Sequence, residues 1–233
     1  MNKFIAFMEK HFIPIASKIG AQRHLVAIRD GFIVTMPLMI LGSFGVLINN
    51  LPIPAYINFM NNLLGEGKWQ AFGNNLSAGT FAIFSILIAF TVAYNLTKSY
   101  DKDPLASGAV SVASFFSLGA IATDTEGVVN TAGLGSQGLF LALIVAVVST
   151  EIFRRLLGNE RLVIKMPDGV PPAVSRSFAA LFPALITVSV FALITAFFQA
   201  AGVSSLVTSF YELVQQPFMG MATCYPAALL LAF

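Results

Sequence analysis

Charge is what this sequence has least of. Lys and Arg contribute 13 residues and Asp and Glu 11 to a chain of 233, 10% in all, where a soluble domain carries about 25%. So thin a charged coat excludes a water-soluble globule. A net charge of +2 leaves no basic footprint for phosphates, which excludes nucleic acid as a partner. One cysteine, Cys224, closes no intramolecular bridge. Two separated histidines, His11 and His24, make no metal site with it. Low hydrophobicity, the condition for intrinsic disorder, is missing too. Apolar residues make up 57% of the chain, Phe alone supplies 22, and the mean hydropathy is +0.81. An integral membrane protein remains.

A bilayer core of about 30 Å needs about 20 apolar helical residues. The uncharged intervals predict five spans, Gly31–Asn49, Ala78–Thr97, Pro104–Thr123, Ser136–Phe153 and Phe178–Ala201. A sixth apolar run begins near Met221 and stops at Phe233, and its abrupt end predicts a truncated sixth span. The expected fold is an all-α membrane protein. It has a cytoplasmic segment 1–30, a five-helix domain 31–201, an external amphipathic helix 202–220 and the cut span 221–233. No cleavable leader is evident: residues 1–30 hold Lys3, Lys10, Lys18, Arg23 and Arg29 and no apolar run ahead of a small-residue site.

Orientation follows from the same scarce charges. Twelve Lys and Arg fall in alternate segments (1–30, 98–103 and 154–176), and only Lys68 falls on the opposite side. The positive-inside rule puts the N-terminus and the 154–176 loop in the cytoplasm. Residues 2–13 read as an amphipathic helix on the inner leaflet, closed or kinked by Pro14. The lone Trp69 reads as an interfacial anchor. Residues 203–218 read as an external interfacial helix, with Val203, Leu206, Val207, Phe210, Leu213, Val214 and Phe218 on one face. Small residues give close-packing faces: Gly42 and Gly45, Ser107, Ser111 and Ser114, and Ala142 and Ala146. Spacing leaves open whether they pack within one chain or between two.

The inner loop carries the densest turn chemistry, Met166-Pro167-Asp168-Gly169-Val170-Pro171-Pro172. Its prolines stiffen the backbone, Asp-Gly supplies a tight turn, and Pro172 suits the first turn of the fifth helix. Catalytic motifs are missing. There is no P-loop, no Gly-x-Ser-x-Gly and no His-Glu-x-x-His, so neither a cofactor nor a catalytic residue is expected. Glu151 lies three and four residues before Arg154 and Arg155, the spacing of an ion-pair cluster on one helix face. Arg29 and Asp30 read as a similar pair at the mouth of the first span.

Longer strings carry a resemblance. Gln22-Arg23-His24-Leu25-Val26-Ala27-Ile28-Arg29-Asp30-Gly31-Phe32 and Thr35-Met36-Pro37-Leu38-Met39-Ile40-Leu41-Gly42-Ser43 resemble the opening of bacterial phosphotransferase-system sugar permeases. The subgroup is the IIC components for lactose, cellobiose and N,N'-diacetylchitobiose. Gly79-Thr80-Phe81-Ala82-Ile83, Ala93-Tyr94-Asn95-Leu96 and the 166–172 loop with Ser175-Arg176-Ser177 resemble it too. The resemblance implies a multi-pass homodimer in the bacterial plasma membrane that carries a β-linked disaccharide. The sugar is phosphorylated on arrival by IIB, which is charged by IIA. It implies that this chain corresponds to the N-terminal, oligomerising half and that the sugar-binding histidine and glutamate lie in the other half. No substrate residue carries over. What carries over is the inner loop between the halves, at Pro167, Asp168, Gly169, Pro171, Pro172 and Arg176. A proton-coupled transporter and a stand-alone structural module are the alternatives. The want of a titratable group at depth counts against the first.

Overall fold

A computed structural model describes residues 10, 12–120, 122–123, 129–159, 161–162, 164, 167, 169–203 and 205–217. The expected helix at 2–13 falls almost wholly outside them, as do Asp168 and the whole segment 221–233. The described helices are α1 (Ile13–Gly20), α2 (Arg23–Asn49), α3 (Pro54–Leu64), α4 (Gln70–Ala78), α5 (Phe84–Lys98), α6 (Pro104–Ser117), α7 (Leu139–Leu157), α8 (Pro172–Ala200) and α9 (Leu206–Phe210). One π-helical turn, Tyr211–Gln215, prolongs α9. A two-residue hairpin, β1 (Ala122–Thr123) with β2 (Val129–Asn130), is antiparallel in the register Ala122 to Asn130.

Four helical runs have membrane length and hydropathy: Arg23–Asn49, Gln70–Lys98, Ser136–Leu157 and Val174–Ala200. The boundaries differ from those drawn at charges. α2 starts eight residues before Gly31, because the charged stretch 23–30 winds on as helix. The second run is broken: α4 stops at Gly79, where Thr80 Oγ1 donates to the Leu76 carbonyl at 2.8 Å, and a 3-10 turn, Phe81–Ile83, leads into α5. The predicted span 104–123 is only the 14-residue α6, rising about 21 Å. Its start is capped by Asp103, whose carboxylate accepts from the Leu105 amide at 3.1 Å. Gly119, at φ +82, ends it in a conformation that suits glycine. Pro14 lies in the first turn of α1, where its missing donor costs nothing; the segment it was expected to close lies almost wholly outside the described residues.

α5 forms the centre. Ile88, Ala89, Val92, Ala93, Leu96 and Thr97 are all fully buried, with α2, α6 and α7 packed around it and α8 lying against α6 and α7. Small side chains make this possible, and they are used within the chain. A Cβ on Gly31 would sit 2.6 Å from Val92 Cγ2, so α2 and α5 touch almost backbone to backbone. Ser107, Ser111, Ser114, Ala142 and Ala146 have no exposed surface. Ser111 donates to the Ala89 carbonyl at 2.9 Å, Ser114 to the Val110 carbonyl at 2.8 Å, and the Ser107 and Thr150 hydroxyls lie 3.3 Å apart. Each of these four buried hydroxyls thereby keeps a partner in a medium that offers no water.

Two interfacial expectations change. Trp69 is 4% exposed. Its indole N–H donates to Asn61 Oδ1 at 2.7 Å and its ring meets Tyr56 edge-on at 5.6 Å. It therefore locks the α3–α4 cap together and is not a lipid-facing anchor. α9 is likewise part of the packed structure: Val207 is buried among Phe115, Leu118, Leu141 and Phe191, and Leu206 and Phe210 lie against that cluster. Leu213 stays 78% exposed.

Candidate functional site

Among the described residues, one cluster of ionisable side chains forms around Glu151, at the end of the bundle that carries most of the chain's Lys and Arg. The last turns of α7 bring Glu151, Arg154 and Arg155 to one side, as their spacing requires. Glu151 Oε2 accepts from Arg154 Nη2 at 2.6 Å and Nε at 3.1 Å, and Arg155 Nη2 lies 3.3 Å away. The other oxygen reaches two elements that the sequence did not connect. Tyr100, in the α5–α6 turn, donates its hydroxyl to Oε1 at 2.8 Å. His24, in the first turn of α2, places Nε2 3.3 Å from the same atom. The Arg154 and Arg23 guanidinium carbons stand 4.1 and 5.1 Å from the Tyr100 ring centroid. Burial first, and then the bond to Glu151, raises the Tyr100 phenol above its ordinary range.

This hub ties α2, the α5–α6 turn and α7 together at one level of the membrane. Both carboxylate oxygens of Glu151 are engaged, so it is not poised as a base toward a hydroxyl. The cluster expected for Glu151, Arg154 and Arg155 is present. Sequence reasoning connected neither Tyr100 nor His24 with this cluster. Arg29 pairs with its neighbour Asp30 at 2.8 Å, as expected, outside the hub.

The inner-loop residues are placed separately. Gly169 takes φ +101, a turn that favours glycine. Pro171 precedes α8, its carbonyl accepting from the Val174 and Ser175 amides at 2.9 and 3.1 Å, and Pro172 is the first helical residue. Pro171, Pro172 and Arg176 are exposed. None of the described loop residues is bonded to the hub.

The membrane interior offers little polarity. A recess of about 400 Å³ between α7, α8 and α9 is lined by Leu141, Val145, Phe191, Phe198, Phe210 and other apolar side chains, with Ser209 the one hydroxyl. Among the described residues, no group of three or more His, Cys, Asp or Glu is placed to hold a metal. The buried hydroxyls bond to carbonyls or to each other inside the bundle, with Thr97 Oγ1 lacking a partner.

Comparison with known proteins gives one consistent result. The family "Phosphotransferase system, EIIC" matches residues 29–233. The lichenan permease IIC component of Bacillus subtilis is 44% identical over 198 residues, covering 78% of this chain and 42% of its own. The cellobiose-specific EIIC component of Geobacillus stearothermophilus is 43% identical over 194 residues, 78% of this chain and 43% of its own. Among solved structures, the IIC transporter ChbC of an N,N'-diacetylchitobiose-specific phosphotransferase system superposes with a TM-score of 0.86 at 40% identity, covering 96% of this chain and 54% of that one. The chain thus spans about half the length of the curated relatives it matches.

Proposed function

Because the chain belongs to the phosphotransferase-system EIIC family, we propose that it forms the oligomerisation scaffold of a membrane-embedded sugar permease. The permease carries a β-linked disaccharide such as diacetylchitobiose or cellobiose and hands it to IIB for phosphorylation, with IIA upstream. The scaffold is the five-helix domain 31–201 flanked by segments 1–30 and 202–220. The sugar-binding groups belong to the part of the relatives that this chain does not span, and the loop from Pro167 to Arg176 meets that part. The permease is a homodimer, and its N-terminus and the 154–176 loop face the cytoplasm.

The observation that carries this reading is the interior itself. Among the described residues, its buried hydroxyls bond to backbone carbonyls or to each other, Thr97 Oγ1 excepted, and the recess between α7, α8 and α9 is apolar. A saccharide needs convergent donors and acceptors, since each hydroxyl buried without a partner costs about 1–3 kcal/mol. A packed, inward-satisfied bundle is a frame for such a site and does not itself provide one.

Two experiments test the proposal. Putting this chain in place of the matching stretch of the B. subtilis lichenan permease should give a chimera that still supports IIB-dependent phosphorylation of the lichenan permease's own substrates. A chimera that inserts and dimerises yet supports no phosphorylation would count against a shared scaffold. For orientation, an impermeant thiol reagent on intact cells should label a cysteine at exposed Thr131 and spare one at Gly169, in a background lacking Cys224. The reverse pattern would invert the topology.

A further inference from the structure

A groove of about 300 Å³ opens between the inner ends of α2 and α5, lined by Arg23, Val26, Asp30, Asn95, Lys98 and Ser99 among others. Asp30 already holds Arg29 at 2.8 Å. Among the described residues, neither Arg23 nor Lys98 has a carboxylate within ion-pair distance. The Arg23 guanidinium only overlies the Tyr100 ring, which leaves its N–H groups free to donate. α2 begins at Arg23 without a side-chain cap, so its first amides add to the positive potential of the two cations.

The face of α2 that borders the groove is apolar farther along the helix. Along α2 the positions Val26, Asp30, Ile33, Ile40 and Phe44 follow one another at three-, four- and seven-residue steps on one face. Ile33, Ile40 and Phe44 are 51%, 59% and 55% exposed. A cationic, hydrogen-bonding head thus stands above a long apolar stripe. A soluble phosphate has no use for the stripe, and a zwitterionic lipid has no net charge to match the head.

We propose that this groove holds the phosphate headgroup of an anionic phospholipid of the inner leaflet, with Arg23 and Lys98 as its cationic ligands and its acyl chains along Ile33, Ile40 and Phe44 of α2. Asn95 and Ser99 complete the polar wall. The site depends on membrane placement and not on sugar chemistry, so it stands or falls separately from the proposed transport role.

The test is lipid retention by the purified chain in neutral detergent, measured by native mass spectrometry and by titration. The probes are phosphatidylglycerol, phosphatidylcholine with the same acyl chains, and inorganic phosphate. Phosphatidylglycerol should be retained and phosphatidylcholine should not. Lys98→Gln should weaken phosphatidylglycerol binding about fivefold, equivalent to the ~1 kcal/mol that one basic residue contributes beside an anionic leaflet, and Arg23→Gln should weaken it similarly. Lys102→Gln, removing an exposed charge on the same side but outside the groove, should change it less than about twofold. Equal retention of the two lipids, or equal weakening by Lys102→Gln, would overturn the site. Displacement of the lipid by inorganic phosphate at equal concentration would reassign the groove to a soluble ligand. Loss of dimer in Lys98→Gln with lipid binding unchanged would assign it to a second copy of the chain. If Arg23→Gln does not fold, Lys98→Gln decides alone, because among the described residues the Lys98 side chain makes no hydrogen bond or ion pair and its backbone bond from the Asp101 amide survives the change.

Discussion

Glu151→Ala should lower unfolding stability in mild detergent by about 2–4 kcal/mol, the largest loss of any single polar substitution among the described residues. Removing one member of a fully buried ion pair costs about 3–5 kcal/mol, because the partner keeps its desolvation penalty without its counterion. Here the Glu151 and Arg154 side chains are 14% and 29% exposed, so partial solvation brings the figure down. Two further groups lose their acceptor at once, the Tyr100 hydroxyl and His24 Nε2. Glu151→Gln keeps an oxygen for Tyr100 while losing the charge, and should cost about half as much. Arg155→Gln should stay within about 0.5 kcal/mol, since that side chain is 68% exposed. Thermal unfolding followed by circular dichroism ranks the three. A Glu151→Ala variant no weaker than Arg155→Gln would mean that the hub does not fasten the inner end.

Gly138→Ala should cost about 3 kcal/mol although it adds one methyl group. The new Cβ would fall inside the contact radius of the Gly133 carbonyl oxygen, 2.9 Å from its carbon and 3.1 Å from Phe115 Cζ. Two of these neighbours are backbone, and the third is a fully buried ring. None can swing aside, so the tight turn leading into α7 must open. That turn supports α5 as well, through the Ser85 hydroxyl donating to the Gly135 carbonyl. Gly20→Ala is the control. Nothing lies within 4 Å of its added Cβ, and alanine favours helix, so that change should be neutral or slightly stabilising. Unfolding of both variants under the same conditions separates a steric effect from a general loss of glycine.

The sequence revealed the class of fold and much less of its joints. Long uncharged intervals had to become membrane helices, because hydrocarbon tolerates no unsatisfied backbone. The same criterion was blind to breaks without charge. Gly79–Thr80 and Gly119 interrupt apolar runs without any charge, so the helix of one predicted span starts late, at Phe84, and that of another stops early, at Ser117. At the start of α2 the error ran the other way: Arg23, Arg29 and Asp30 looked like a boundary, yet a helix end does not have to coincide with a membrane edge. Trp69 was misjudged because an indole with a polar handle serves equally at an interface or bonded inside a cap. Three of the hub's five residues were legible. Glu151, Arg154 and Arg155 announce themselves by helical spacing, whereas Tyr100 and His24 join them only through packing across three elements. One signal did exist: the charge distribution had already put all five residues at the same end of their helices.

Calorimetric titration of the purified chain with diacetylchitobiose and cellobiose tests the scaffold assignment most directly. With nearly all its buried hydroxyls engaged inside the bundle and its recess apolar, the chain should give no saturable heat with either sugar, while the full-length cellobiose-specific component of G. stearothermophilus serves as the reference for cellobiose and the diacetylchitobiose transporter ChbC as that for diacetylchitobiose. Saturable binding in the micromolar range by this chain alone would contradict the assignment and place sugar-holding groups within these 233 residues.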